Sequence, residues 1–155
     1  MQGKPATQGK AGALAPVMGV DEVNAFIDRV YPELARNGDH YYTTEISPGG
    51  CVVRIDADHR HVRPGGTVSG PVLFNLADMT GYVLVVSHIG PEALCVTTNV
   101  GINFLSKAMP GPIDAHGRIL RLGRSLMVYE VSIMAAGDIV AHATGTYSIP
   151  PKRQV

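Results

Sequence analysis

At 155 residues, 45% of them hydrophobic, the chain is long enough for one domain with a real core and too short for two ordinary ones. Thirteen basic and thirteen acidic residues cancel, and no Lys/Arg stripe or interleaved aromatic cluster appears. This argues against an extended nucleic-acid-binding surface and leaves small anionic ligands open. Cys51 and Cys95 are too few for a disulfide framework and sit in no metal-spaced pair, so no metal site is expected and a reducing cytoplasm is the expected setting.

Residues 1–19 are rich in Gly, Ala, Pro, Gln and Lys without periodicity and lack the sustained apolar core of a signal peptide, so they read as a flexible tail. Residues 151–155 read as a second tail, leaving 20–150 as a single domain. No later run is expected to approach the roughly 20 apolar residues of a membrane helix, which makes a soluble protein with no membrane partner the expectation. From Val20, the segment VDEVNAFIDRVYPELARNG places Val20, Val23, Phe26, Ile27, Val30, Tyr31 and Leu34 at helical spacing, with Asp21 and Glu22 at its positive end and Gly38 at its stop. One amphipathic helix is predicted. HYYTTEIS and CVVRIDAD then flank Pro48, Gly49 and Gly50, the pattern of a β-hairpin.

After a loop from His59 to Ser69 comes the most informative stretch, GPVLFNLADMTGYVLVVSHI. Ser69 is placed to cap a helix, Pro71 suits its first turn, and Gly90 with Pro91 ends it, giving a helix over about 70–89. Apolar residues surround nearly the whole cylinder, so other structure must wrap it. Asp78 lies inside this helix. Burying a carboxylate without partners costs several kcal/mol, so Asp78 is either hydrogen-bonded, to Asn75, Thr80 or a partner chain, or put to chemical use. Asn75 precedes it by one turn, where it would orient the acid.

Four strand-like runs supply the wrapping: ALCVTTNVGINFLS, PIDAHGRILRL, SLMVYEVSIM and DIVAHATGTYSI, divided at Met109 to Pro112, Gly123 with Arg124, and Ala136 with Gly137. Alternation puts Leu94, Val96, Thr98, Val100, Ile102 and Phe104 on one face, with Thr97 opposite. It likewise puts Ile139, Ala141, Ala143, Gly145, Tyr147 and Ile149 on one face, and Arg118 and Arg121 on opposite faces. The order implies an α+β fold in which an antiparallel sheet of about six strands curls around one helix. His59, His61, His88, His116 and His142 show no ligand spacing.

GGTVSGPVLFNLADMTG, VTTNVGINFLSKAMPG, GRILRLGRSLMVYEV and IVAHATGTYSI, in that order, resemble the hotdog-fold acyl-CoA thioesterases of the phenylacetate-pathway (PaaI-like) branch, over residues 20–150. The resemblance implies hydrolysis of an acyl-CoA thioester to free acid and CoA, with no cofactor beyond the CoA of the substrate. It also implies Asp78 as nucleophile or as base for water, and the Gly70 backbone N–H as oxyanion donor. Thr97 matches a Ser/Thr that assists the acid. Arg124, in the Gly123–Ser125 turn, falls near where the CoA nucleotide lies, where it would bind phosphate. Arg63 stands where Asn is common and Ser69 where His is common; Arg63 then grips a carboxylate or phosphate or lines the entrance, and Ser69 caps. Hotdog domains also serve as enoyl-thioester hydratases or dehydratases, which pair a loop His with an acid, and as non-catalytic acyl-CoA-binding modules.

Gly70 and Asp78 are eight residues apart, which places them about 12 Å apart along a helix axis. Attack requires both within about 3 Å of the reacting group, so Gly70 of one subunit is expected to serve Asp78 of another. A homodimer with two composite sites follows. The resemblance also allows a homotetramer.

Overall fold

The computed structural model describes residues 14–36 and 40–152. In chain order it contains α1 (Val20–Val30), α2 (Pro32–Arg36), β1 (Tyr41–Ser47), β2 (Gly50–Ala57), α3 (Gly70–Ile89), β3 (Val96–Phe104), β4 (Gly111–Leu122), β5 (Leu126–Ala135) and β6 (Asp138–Ser148). The six strands form one antiparallel sheet in the order β1-β2-β4-β5-β6-β3. It wraps α3 in the hotdog arrangement that the sequence implies.

The predicted N-terminal helix is two helices. Proline disfavours helical backbone in the residue before it, and Tyr31, preceding Pro32, adopts φ −135° and ψ 59°. Val23, Phe26 and Ile27 are buried beneath α1, while Val30 and Tyr31 are exposed at the break. The predicted stop at Gly38 lies outside the described residues.

Helix α3 has the predicted bounds. Every residue from Met79 to His88 is buried. Fully buried Leu76, Val83, Leu84, Val85 and Val86 each contribute about 1.5–3 kcal/mol of transfer free energy. Contrary to the sequence expectation, α3 has the length and mean hydropathy, 1.4, of a membrane span; 67% of that apolar window is buried within the domain, so the enclosing sheet accounts for it. The inner face of the sheet presents Val53, Ile55, Ile113, Ala115, Met127, Val131, Ala141 and Ala143 to the helix. At Gly117 the two layers touch, because a Cβ there would lie 2.6 Å from Thr80 Cγ2.

Residues 14–19, assigned by composition to the tail, lie against the domain. Val17 and Met18 N–H donate to the Ser87 carbonyl at 2.7 and 3.2 Å, satisfying an otherwise orphan acceptor near the end of α3. Gly49 N–H, in the β1–β2 turn, donates to the Leu14 carbonyl and to buried His88 Nε2, each at 3.0 Å. With Nε2 accepting, His88 Nδ1 carries the hydrogen that reaches the Leu84 carbonyl at 2.8 Å.

Register shifts interrupt every strand pairing except β2–β4. The shift in β5–β6 pairs Ile133 with Ala141 but Met134 with Ile139, so Ile139 is exposed and does not share the buried face of Ala141 as alternation predicts. The β4–β5 register shifts between Ile119 and Arg121, pairing Arg121 with Val128. This brings Arg121 to the same outer face as Arg118, which is bonded to Glu130. The expectation of opposite faces fails because a bulge inserts one unpaired residue. The register shift in β3 shapes the candidate site.

Candidate active site

One edge of α3 escapes the sheet. Pro71, Phe74 and Asn75 are exposed and Asp78 is half-buried, a stripe at spacings of three and four residues that marks one helix face. Asp78 is therefore set in an apolar helix but opens to the outside. Two hydroxyls hold its carboxylate: Thr97 Oγ1 donates to Oδ1 at 2.5 Å, and Tyr147 OH reaches Oδ1 and the Asp78 main-chain carbonyl, each at 2.9 Å. Among the described residues, no donor reaches Oδ2.

Thr97 reaches Asp78 because the β3–β6 register shifts between Thr97 and Asn99. Thr97 pairs with Tyr147, whereas beyond the bulge Val100, Ile102 and Phe104 pair with Gly145, Ala143 and Ala141. All four β6 partners point inward, so Thr97 shares the inner face with Val100 and Ile102 rather than lying opposite them. The predicted single face from Leu94 to Phe104 is thus split in two.

Tyr147 is a site residue that the sequence reading misses. The alternation of β6 places it on the buried face, but only its pairing with Thr97 shows that both hydroxyls meet one carboxylate. Its ring lies 5.9 Å from Tyr129 and 6.2 Å from Tyr82. Burial, followed by the Asp78 charge, pushes the Tyr147 hydroxyl far above the usual phenol range, so it stays a proton donor at ordinary pH. Burial likewise pushes Tyr82 up to about 12. Asn75 is exposed and makes no hydrogen bond to Asp78 among the described residues, so within one chain it does not hold the acid.

The helix N-terminus carries a second group of residues. Ser69 occupies the N-cap with φ −72° and ψ 149°, but its side chain makes no capping bond; its backbone carbonyl instead accepts from Val72 and Leu73 N–H. Pro71 has no N–H to offer, and the Gly70 N–H has no acceptor among the described residues, leaving one donor free at the positive end of α3. Gly70 lies under the Phe104 ring, 3.2 Å from its Cζ to the position a Cβ would take. Arg63 and Lys107 line the same open depression, and both are exposed. The loop leading there is fixed by His61: buried, its Nδ1 accepts from Asp58 N–H at 2.9 Å and its carbonyl accepts from Ser69 N–H at 2.9 Å.

Within one chain, then, Asp78 and Thr97 come together, Gly70 and Arg63 come together, and the two groups stay apart along α3. Arg124 sits elsewhere, exposed in the β4–β5 turn. There it lines a groove with Ile89, Leu122, Ser125, Ile149 and Lys152 at the C-terminal end of α3. Among the described residues, no three His, Cys, Asp or Glu side chains gather to hold a metal ion.

Comparison with known proteins agrees with this architecture. The family model of the thioesterase superfamily matches residues 65–142, which contain the whole of α3 and both ends of the stripe around Asp78. The crystal structure of a "putative thioesterase" from Silicibacter sp. TM1040 is 37% identical, covers 90% of this chain and 97% of its own, and superposes with a TM-score of 0.80. A "putative esterase" from Saccharolobus solfataricus is 26% identical over 86% of this chain and 92% of its own length. The phenylacetic acid degradation protein PaaI of Thermus thermophilus, in the structure of a point mutant, is 22% identical, covers 77% of this chain and 99% of its own, and shares the fold with a TM-score of 0.67. The chain belongs to the thioesterase superfamily and has its hotdog fold.

Proposed function

We propose that the protein hydrolyses acyl-CoA thioesters in a composite site made by two copies of the chain. The observation that carries this reading is where Asp78 and Gly70 sit relative to β3. Asp78 is bonded to Thr97, near the start of β3, and Gly70 touches Phe104, at its end. Strand β3 is an edge of the sheet and is flanked by exposed Leu94, Val96, Phe104 and Leu105. An open edge with apolar side chains is a surface that a second strand covers. Antiparallel pairing of β3 with its own copy across a two-fold axis sets the start of one strand beside the end of the other. Asp78 of one subunit then faces Gly70 of its partner, which the spacing along α3 forbids within one chain.

The chemistry follows from those two groups. The Gly70 N–H, at the positive end of α3, stabilises the negative charge that develops on the thioester carbonyl oxygen. Asp78 takes a proton from water as the water oxygen attacks the carbonyl carbon; the C–S bond breaks, and the departing thiolate receives the proton. Alternatively the carboxylate attacks directly, releasing the thiolate and leaving an acyl-aspartyl anhydride that water opens. Either route balances to free acid and thiol with no redox step. Arg124 and Lys152 supply positive charge suited to the phosphates of CoA. The free, buried thiols of Cys51 and Cys95 fit a reducing cytoplasm. A hydratase that pairs a loop His with an acid finds no support in His61, whose ring is buried and occupied within its own loop.

Thiol release from a panel of acyl-CoAs tests the reading. Wild type is expected to turn over at least one of them, and Asp78→Asn to lose that turnover by on the order of 100-fold or more. Undiminished release by the variant would overturn the mechanism, and tight binding without any turnover by wild type would show a binding module instead.

A further inference from the structure

Asp78 is held unevenly. Both side-chain donors converge on Oδ1, and the Tyr147 proton is shared between Oδ1 and the main-chain carbonyl of the same residue. A carboxylate pinned at one oxygen and at its own backbone loses its freedom to rotate, while the other oxygen keeps its lone pairs unengaged. We infer that Tyr147 is a positioning residue that fixes Asp78 through Oδ1, making Oδ2 the atom that meets the water or the thioester carbonyl.

The surroundings of Tyr147 suit that task. Its ring is buried, with 3% exposure, and is wedged against Tyr129 and Tyr82. Tyr129 is itself fully buried between α3 and β6. The hydroxyl is consequently delivered by a rigid stack rather than by a swinging side chain. Thr97 lies directly across the β3–β6 ladder, so the second donor is fixed by sheet register. Were Tyr147 only filling the core, its hydroxyl would have no reason to end on the single ionisable group of the exposed α3 stripe. This inference rests on Asp78 acting in catalysis, as proposed above.

Tyr147→Phe keeps the ring and removes the proton. It is expected to lower kcat by on the order of 10- to 100-fold with KM within about twofold of wild type, because ground-state binding does not involve the tyrosine whereas the geometry of attack does. Thr97→Val should act in the same direction, Thr97→Ser should restore activity, and the double variant should lose less than the product of the single losses, since both hydroxyls restrain one oxygen. A purely structural role would instead lower the unfolding midpoint without splitting kcat from KM. Asp78→Asn, measured in parallel, separates the failures. If it is inactive while Tyr147→Phe retains wild-type kcat, the positioning role is overturned and the catalytic carboxylate stands; if Asp78→Asn is fully active, both fall.

Discussion

The ring of Tyr129 occupies the space that a side chain at Gly81 would need: a Cβ built there would lie 2.4 Å from Cζ and 2.6 Å from the hydroxyl oxygen. The same ring excludes a side chain at Gly145 on β6, where a Cβ would fall 2.7 Å away. Glycines on both layers therefore make one slot for one tyrosine. Neither layer can yield, because Tyr129 is fully buried and its hydroxyl end lies between helix and strand. Gly81→Ala and Gly145→Ala should each destabilise the fold by about 1–3 kcal/mol through overpacking, read as a lower urea midpoint at unchanged m-value. Because Tyr129 packs against Tyr147, both variants should also lose activity at temperatures where they remain folded. A Gly81→Ala protein with wild-type stability would show that the slot is not closed.

This helix–sheet packing is legible in outline from sequence, since all-round apolarity of α3 and the alternation of β6 from Ala141 to Tyr147 need only local periodicity. Parity counting fails where the register shifts, in β3, β4 and β6. One extra residue reverses every later assignment along a strand, and nothing local at Thr98 or Leu120 announces it. For that reason alternation puts Thr97 on the wrong face and separates Arg118 from Arg121 when the two lie together. Tyr147 escapes a sequence reading because its role depends on which strand β6 pairs with, a long-range fact. For Asn75, one helical turn of spacing places two residues near each other without deciding whether their side chains bond. The break at Pro32 is readable and outweighs the continuous apolar spacing on either side of it.

Acid should weaken the outer face of the sheet in a defined window. The Arg54 guanidinium, bonded to both oxygens of Asp114 at 2.7 Å, holds that carboxyl below its ordinary range, and Arg118 does the same for Glu130. Arg60 lowers Asp58 in the loop. A carboxyl whose folded value is depressed contributes stability above its unfolded value, about 4, and loses that contribution as pH falls through the folded value. The contribution of these pairs should thus stay level from pH 7 to 5 and be lost below pH 4. Asp114→Asn should be less stable than wild type at pH 7, with the gap narrowing as pH falls to 3. A gap that is constant across this range would remove the ion pair as its cause.

A stabilising substitution is available at Thr43. Its backbone is fully served, with the N–H donating to Asn24 Oδ1 at 2.8 Å and the carbonyl accepting from Asn24 Nδ2 at 3.0 Å. Its side-chain hydroxyl is buried with no partner among the described residues. An unpaired hydroxyl in an apolar setting costs about 1–3 kcal/mol, and valine has nearly the same shape and a comparable preference for strands. Thr43→Val should raise unfolding stability by about 1 kcal/mol with no change in activity. Chemical denaturation of the two proteins side by side decides it, and a loss of stability would mean that the hydroxyl is satisfied in solution.

The composite site makes its own prediction, because the two halves can be broken separately. Gly70→Pro deletes the N–H while keeping a backbone that proline tolerates at the first helical position, with Ser69 already extended at ψ 149°. The exposed Phe104 ring can swing away from the added carbons. Alone, Gly70→Pro should lose on the order of 100- to 1,000-fold in kcat, as expected for removal of an oxyanion donor. Asp78→Asn alone should be similarly inactive. In a mixed dimer, however, one site receives Asp78 from the Gly70→Pro chain and the Gly70 N–H from the Asp78→Asn chain, and is intact. Random reassortment of equal amounts gives one mixed dimer in two with one good site in each, so about a quarter of wild-type activity should return. Differently tagged subunits establish that mixed dimers have formed. If they form and activity stays absent, both groups act within a single chain and the composite site is wrong.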